Sequence, residues 1–319
     1  MLEVSKEIGL DRVTVMAHKE QIQVIGDVDM LEVNIKDDGI TIRNSALNED
    51  FVEIKVTCPK VFYDTNERNI TVEDMEYLVE CIQDLLEEQG ILVSVGELKL
   101  GSFEVNYNIN DSKFYDVFEL ISRASIHENL KSFKVENKNG IQSVKVPKQR
   151  YHVKIYKKSE HLMERFKPIE EDCVVRFEVS TNVDREKALI FGNEVPTLNG
   201  LIERWDKVIE WYKNKIRLSI KNPVESYIKD MEQQCYEMLE RGLKPSVVAN
   251  TMIYRQDMVD MIVFDNAMKR YYKSIGNTKN VSKNIKSTHN RLKKLDEERY
   301  YQTVGNVTTL QELYELLNI

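Results

Sequence analysis

The first 180 residues contain repeated short runs in which apolar and polar residues alternate. A period of two is typical of a β-strand that buries one face and exposes the other. Asp38-Gly39 separates two of these runs, and such a step favours a tight hairpin because both residues tolerate positive φ. The early runs, which predict an antiparallel sheet, are at 13–15, 22–24, 31–35, 40–42 and 52–56.

Helical spacing appears at 72–86 and at about 113–122 in this region, and it dominates after about residue 184. Helices are expected there at 201–218, 223–239 and 245–275, followed by a polar connector at 276–286. Thr71 precedes apolar residues spaced three and four apart, and Gly90 follows them, which predicts a capped helix. Further strands are expected at 103–109 and 174–179. The predicted fold class is α+β, with a mainly antiparallel sheet and packed helices followed by an α-helical C-terminal domain. We expect one domain at 1–195 and a helical domain at 196–319.

Composition and motifs exclude several classes of protein. The chain has 319 residues, of which 42% are hydrophobic, so a core can form. No window of about 18 apolar residues exists, and the start lacks an apolar signal core, so we expect a cytoplasmic protein without a membrane span. The four cysteines are far apart. No phosphate-binding loop, dinucleotide-binding turn, nucleophile elbow or paired histidine zinc motif is found.

The net charge of −8 conceals an uneven distribution of charge. Residues 1–100 hold 22 acids and nine bases, whereas 141–170 hold eight bases against three acids. Residues 267–300 hold ten bases against three acids, with three tyrosines among them. These stretches are either solvated basic faces or a polyanion groove whose tyrosines stack on unpaired bases.

Four stretches carry a resemblance to a known family: LEVNIKDDGITIRNS at 31–45, CPKVFYDTNERNITVEDMEYL at 58–78, FEVNYN at 103–108, and YHVKIYKKSEHL with VVRFEV within 151–179. In this order they resemble the gene II/X-type replication initiators of filamentous phages and related plasmids, which are distantly related to the plasmid rolling-circle initiators. The resemblance covers roughly residues 30–195. The helical region after 200 carries no motif of the family.

The resemblance implies a protein that binds a replication origin and nicks one DNA strand. A tyrosine hydroxyl attacks a phosphodiester and leaves a phosphotyrosine link with a free 3′ hydroxyl. Tyr156 is the expected nucleophile, and we expect its side chain to share one face of the sheet with Glu104. Lys158, which shares its face on an extended chain, and Glu178 complete the predicted catalytic set, while Glu160 or His161 is available to move a proton.

A divalent metal is the expected cofactor. Glu104, Asn106 and Asn108 alternate with apolar residues, so the three polar side chains share one face of a strand. Oxygen ligands of this kind suit Mg²⁺ or Mn²⁺. The partners expected are origin DNA, single-stranded at the nick, and host replication proteins. The predicted DNA contacts are Lys154, Lys157, Arg176, Lys283, Lys286, Lys293 and Lys294.

Two departures from the family pattern keep other functions open. Asn106 is neutral where a carboxylate would hold a metal more firmly, and His152 stands alone where the wider superfamily has a histidine pair. A non-catalytic DNA-binding protein of a mobile element is therefore an alternative. A structural or interaction protein, whose acidic N-terminal region recruits a partner, is another.

Overall fold

The fold was taken from a computed structural model, which describes residues 8–25, 34–35, 39–45, 48–63, 68–128, 133–137, 140–163, 174–254, 260–301 and 303–319. It is α+β, with a large antiparallel sheet, packed helices and a helical C-terminal region, so the predicted fold class is confirmed. Within the described ranges, no helix is long and apolar enough to cross a bilayer.

Eleven strands are present in the described parts of the chain: β1 (Gly9–His18), β2 (Gln23–Val24), β3 (Asn34–Ile35), β4 (Ile40–Asn44), β5 (Phe51–Thr57), β6 (Ile91–Leu92), β7 (Lys99–Asn110), β8 (Phe133–Asn137), β9 (Gly140–Pro147), β10 (His152–Lys157) and β11 (Val174–Thr181). Nine form one sheet in the order β3-β4-β5-β1-β7-β11-β10-β9-β8, and β2 pairs with β6. Gly39, before β4, has a φ of 76°, in agreement with the predicted turn, whereas Asp38 lies outside the described residues.

The large sheet has one apolar face and one polar face, because side chains alternate along each strand. Val105, Tyr107 and Ile109 of β7 are buried on the apolar face. Glu104, Asn106 and Asn108, the even-numbered residues of the same strand, therefore lie on the polar face. The register aligns the strands on both sides of β7 so that polar residues of β1, β5, β10 and β11 share this face.

Thirteen α-helices lie in the described ranges: α1 (Cys58–Phe62), α2 (Val72–Glu88), α3 (Val117–His127), α4 (Lys158–Met163), α5 (Asp184–Phe191), α6 (Leu198–Glu203), α7 (Trp205–Ile216), α8 (Asn222–Glu240), α9 (Pro245–Tyr254), α10 (Met261–Ser274), α11 (Val281–Leu295), α12 (Glu297–Tyr301) and α13 (Asn306–Leu316). The predicted cap of α2 is present: the Thr71 side chain accepts from the Asp74 amide, and the Asp74 carboxylate accepts from the Thr71 amide.

The chain forms two compact units, residues 1–112 with 135–216, and residues 113–134 with 217–319. These units differ from the domains predicted at 1–195 and 196–319, because α6 and α7 belong to the sheet unit and α3 belongs to the helical unit. Trp211 of α7 contacts Phe103 with ring centroids 5.0 Å apart, and the Tyr212 hydroxyl donates to the Phe177 carbonyl over 2.9 Å. These contacts attach α7 to the sheet.

Two details of the helical unit differ from the sequence prediction. The stretch 245–275, predicted as one helix, contains two, and Asp260 begins the second by accepting from the Ile262 amide over 2.9 Å. Residues 276–286 were expected to be a polar connector, but α11 begins at Val281. Thr288 and Leu292 are the buried residues of α11, so its buried stripe is narrow. The sequence of its first turns is almost entirely polar, which explains why a connector was predicted there.

Candidate active site

An irregularity in β1 brings two charged residues to the middle of the polar face. In the pairing of β1 with β7, Leu10 lies opposite Val105 and Arg12 lies opposite Glu104, so Asp11 is one extra residue on its strand. A β-bulge of this kind redirects side chains and is common beside active sites. Here the Arg12 guanidinium comes within 3.7 Å of the Glu104 carboxylate.

Three carboxylates meet beside this bulge. One oxygen each of Asp11, Glu104 and Glu178 lies within 4.8 Å of the others. They come from β1, β7 and β11, three consecutive strands of the sheet. Asp11 is buried and Glu178 is 9% exposed, so water screens their mutual repulsion poorly. We refer to Asp11, Glu104 and Glu178 as the carboxylate cluster.

Asn106 adds an unsatisfied amide to the same place. It lies between Glu104 and Asn108 on β7 and directly opposite Glu178 on β11. The side chain is completely buried, and neither its nitrogen nor its oxygen has a hydrogen-bond partner in the described part of the protein. A buried amide without a partner costs about 1–3 kcal/mol. Both polar atoms of Asn106 are therefore available to a ligand of this site.

Arg176 balances part of the negative charge. Its Nη1 donates to the Asp11 carboxylate over 2.7 Å and its Nε donates to the Asn108 amide oxygen over 2.8 Å. Asn108 in turn donates to the Asn69 oxygen over 2.9 Å. Burial raises the pKa of Asp11, but the Arg176 charge, a hydrogen bond with Glu104 and other nearby cations together bring that pKa down to about 2. Asp11 is therefore ionised throughout the physiological range.

Gly9 makes room for this chain of hydrogen bonds. A Cβ at Gly9 would lie 2.7 Å from Cβ of Asn69, which is closer than two carbon atoms approach. Because Gly9 has no side chain, the segment that carries Asn69 can lie over β1 and reach Asn108.

Glu104 holds a proton more strongly than an ordinary glutamate does. Burial raises its pKa well above the ordinary value, and the nearby charges of Glu178 and Asp11 raise it further. A hydrogen bond with Asp11 stabilises the protonated form. A divalent cation at the cluster would replace this proton, because three oxygen ligands and an amide suit a hard cation.

Tyr156 lies on the same face of the sheet as Glu104. It is opposite Arg176 on β11, and Arg176 is opposite Asn108 on β7, two residues from Glu104. The prediction that Glu104 and Tyr156 share a face is therefore confirmed. The Tyr156 side chain is 6% exposed, and burial raises the pKa of its hydroxyl well above 10.

Two lysines approach the Tyr156 ring. Nζ of Lys154 lies 3.8 Å from the ring centroid and Nζ of Lys158, at the start of α4, lies 5.7 Å from it. Burial lowers the pKa of Lys158, and the Arg176 charge lowers it further, to about 7. Lys158 is therefore partly uncharged at neutral pH, and an uncharged amine can accept a proton.

Several predicted site residues take other roles. Asn108 is not placed as a metal ligand, because its oxygen accepts from Arg176. Arg176 and Lys157 were predicted to contact DNA, but Arg176 is fully buried against Asp11, and Lys157 is 8% exposed and pairs with Glu160 over 3.1 Å. The His161 side chain lies outside the described residues.

Asp11 is the site residue that the sequence interpretation missed. A signal for it exists: Asp11 and Arg12 stand together between Leu10 and Val13, so the alternation of β1 is broken by one residue. Such a break is the sequence mark of a bulge. Only the fold, however, shows that the bulge faces Glu104 and Glu178.

The predicted DNA contacts of the helical unit divide into two groups. Lys283, Lys286 and Lys294 line a cavity of about 490 Å³ on α11, together with Arg291. Lys293 is instead engaged by the Tyr301 hydroxyl and by the Glu297 carboxylate, the latter at 3.4 Å. Three of the four predicted lysines therefore share one face of the helix.

No protein-family model matches the sequence, and a search of curated proteins gives no match. What the site can do follows from its own side chains: three clustered carboxylates, an amide without a partner, and a buried tyrosine beside two lysines.

Proposed function

We propose that this protein is a DNA replication initiator that nicks one strand with Tyr156 as nucleophile. The observation that carries the proposal is the presence of the carboxylate cluster and Tyr156 on one face of the sheet. Clustered oxygen ligands beside a potential nucleophile are the parts that metal-assisted phosphoryl transfer requires. The resemblance to gene II/X-type initiators, whose stretches at 103–108 and 151–179 contain Glu104, Tyr156 and Glu178, supports it.

The cluster fits a divalent cation, Mg²⁺ or Mn²⁺. Asp11, Glu104 and Glu178 would hold it, and the unpartnered Asn106 oxygen offers a fourth ligand. When bound, such a cation polarises a phosphate and stabilises the charge of the transition state. The ligand set therefore differs from the predicted Glu104, Asn106 and Asn108 by gaining two carboxylates and losing one amide. The added negative charge compensates for the weaker metal binding that is expected of the neutral Asn106.

In the proposed reaction the Tyr156 oxygen attacks the phosphorus of a phosphodiester. The new bond joins that oxygen to phosphorus, and the bond from phosphorus to the 3′ oxygen breaks. The phenolic proton passes to the uncharged amine of Lys158, and the departing 3′ oxygen takes a proton from water. Lys154, 3.8 Å from the ring centroid, stabilises the negative charge that develops on the tyrosine oxygen.

The proposal implies origin DNA and host replication proteins as partners and a cytoplasmic location, without a membrane partner. The covalent phosphotyrosine preserves the bond energy for later re-ligation, and the free 3′ hydroxyl primes synthesis. The basic face of α11, formed by Lys283, Lys286, Arg291 and Lys294, is the proposed contact with duplex DNA.

A second candidate function is DNA binding without cleavage. The burial of Tyr156 favours it, because a tyrosine that is 6% exposed, with the pKa of its hydroxyl raised, meets a phosphate only after α4 or its neighbours move. In this case the carboxylate cluster and Arg176 act as a buried ion-pair network, and the basic surfaces provide all of the affinity.

The two candidates are separated by incubating the full chain with a random pool of single-stranded oligonucleotides and Mn²⁺, followed by denaturing electrophoresis. The nickase attaches to the 5′ phosphate of the downstream fragment, so a 3′-end label stays with the protein band and a 5′-end label is released. EDTA should abolish both signals. DNA retention without cleavage would support the second candidate.

A further inference from the structure

A cavity of about 690 Å³ extends from Glu104 across the polar face toward β4 and β5. Most of the residues that line it are polar or charged, and its bases outnumber its acids. The cations are Arg12, Arg43, Lys55, Lys99 and Lys187, and the carboxylates are Glu53, Glu104 and Asp184. Lys187 is occupied, because its Nζ donates to the Leu100 and Gly101 carbonyls and pairs with Asp184.

The pairing of β1, β5 and β4 brings three of these cations, Arg12, Lys55 and Arg43, to one part of the cavity. Arg12 and Thr14 are successive residues of β1 on the polar face, and Lys55 of β5 lies opposite Thr14. Arg43 of β4 lies opposite Glu53 of β5. Arg43 pairs with Glu53 at 2.6 Å, and Arg12 approaches Glu104. For Lys55, no ion pair is seen in the described part of the chain.

Lys55 is also in an environment that favours an anion. Burial lowers the pKa of its ammonium, and the charges of Arg12 and Arg43 lower it further. Two like charges near a lysine make its charged form less stable, and a bound anion would reverse the effect. The cavity thus has a surplus of positive charge beside the carboxylate cluster, with which it shares Glu104.

We infer that Lys55, flanked by Arg12 and Arg43, binds a backbone phosphate of the DNA strand on the β5 side of the scissile phosphate. The inference rests on the proposed function and extends it by giving the path of the strand. Neighbouring strands of a sheet lie about 4.8 Å apart, so Lys55 on β5 is roughly 10 Å across the sheet from Glu104 on β7. The DNA strand then crosses the sheet from β10, over the carboxylate cluster, to β5.

Binding of a short labelled oligothymidylate, measured by fluorescence anisotropy in EDTA, tests this subsite without cleavage. Lys55→Gln should weaken binding several-fold and reduce the slope of log K against log salt by about 0.7, the value for one single-strand phosphate. Glu53→Gln removes a carboxylate from the cavity and frees Arg43, so it should tighten binding. Lys207→Gln, the same change at an exposed position of α7, should leave both quantities as in wild type.

The outcomes separate this inference from the proposed function. Unchanged affinity and salt slope in Lys55→Gln would overturn the subsite even if the wild-type protein forms a DNA adduct. Loss of affinity in Lys55→Gln would support it even if no adduct forms. Inorganic phosphate, tested as a competitor, should displace the oligonucleotide only weakly. Displacement at equal concentration would mean that the cavity binds free phosphate and would overturn the assignment to a DNA strand.

Discussion

Arg176 and Asp11, which are 165 positions apart in the sequence, form a buried ion pair in which Nη1 of Arg176 donates to Oδ1 of Asp11 over 2.7 Å. This pair joins β1 to β11 across the intervening β7. The Arg176 charge also helps to keep Asp11 ionised, against the effect of its burial. The pair is therefore both a structural element and part of the site.

Asp11→Asn should strongly destabilise the protein at neutral pH, because it removes the carboxylate that pairs with the buried Arg176 charge. The expected loss in the free energy of unfolding is about 3–5 kcal/mol. Urea denaturation at pH 7 in EDTA measures it. Asp50→Asn, at an exposed turn before β5, is the matched control and should change little.

The same pair predicts how stability depends on pH. The folded pKa of Asp11 is about 2, below its ordinary 3.8, so its contribution is present above pH 4 and is lost as the pH falls toward 2. A shift of this size corresponds to about 2 kcal/mol. Asp11→Asn should lack this component of acid destabilisation, and an unchanged acid profile would contradict the role given to the pair.

Glu104→Gln should have opposite effects on stability and on metal binding. The raised pKa of Glu104 means that its stabilising contribution is lost as the pH rises through the folded value. In EDTA at pH 8 the Gln variant should therefore be more stable than wild type. Added Mn²⁺ should raise the Tm of wild type but not of Glu104→Gln.

The metal-induced rise in Tm should also grow with pH, because the cation must displace a proton from Glu104. Glu210→Gln, an exposed carboxylate of α7, serves as the control. An equal Mn²⁺ shift in wild type and Glu104→Gln would show that the carboxylate cluster does not bind the ion.

Lys158 should control the pH dependence of adduct formation. Its pKa of about 7 predicts a rate that rises between pH 6 and 8 as the amine loses its proton. Lys158→Met should lower the rate by about 10²–10⁴-fold. Lys158→Arg keeps the charge but cannot act as a base, so its rate of adduct formation should not rise between pH 6 and 8. Lys154→Gln, at the lysine whose Nζ lies 3.8 Å from the ring centroid, should lower the rate while keeping the pH profile.

The basic face of α11 predicts that neighbouring lysines contribute unequally to duplex DNA binding. Replacing Lys283, Lys286 or Lys294 with glutamine should each reduce the salt slope of duplex DNA binding by about 0.9. Lys293→Gln should have little effect, because Tyr301 and Glu297 already engage that ammonium group. Equal effects at all four positions would indicate a diffuse electrostatic attraction instead of a defined face.

The sheet was predictable because one of its faces is buried and the other is polar. The alternation at 52–56 became β5, that at 103–109 became part of β7, and 174–179 became part of β11. The same pattern correctly placed Glu104 and Tyr156 on one face. Each of these conclusions needs only the period of two along single strands and the pairing of neighbours.

The partners of the charged residues were less predictable, because they depend on contacts distant in sequence. Arg176 looks like a surface residue in its own strand, yet it is buried by its pairing with Asp11. Lys157 similarly pairs with Glu160. A bulge recognised at Asp11 would still not have shown which carboxylates it meets, since that depends on the order of β1, β7 and β11 in the sheet.

The most direct test of the central claim measures the amount of covalent DNA adduct that three proteins form: wild type, Tyr156→Phe and Tyr151→Phe. Each protein is incubated with Mn²⁺ and 3′-end-labelled single-stranded oligonucleotides, and the label in the protein band is measured after denaturation. Tyr156 as nucleophile predicts an adduct for wild type and Tyr151→Phe and none for Tyr156→Phe. An adduct of wild-type intensity in Tyr156→Phe would contradict the assignment of Tyr156.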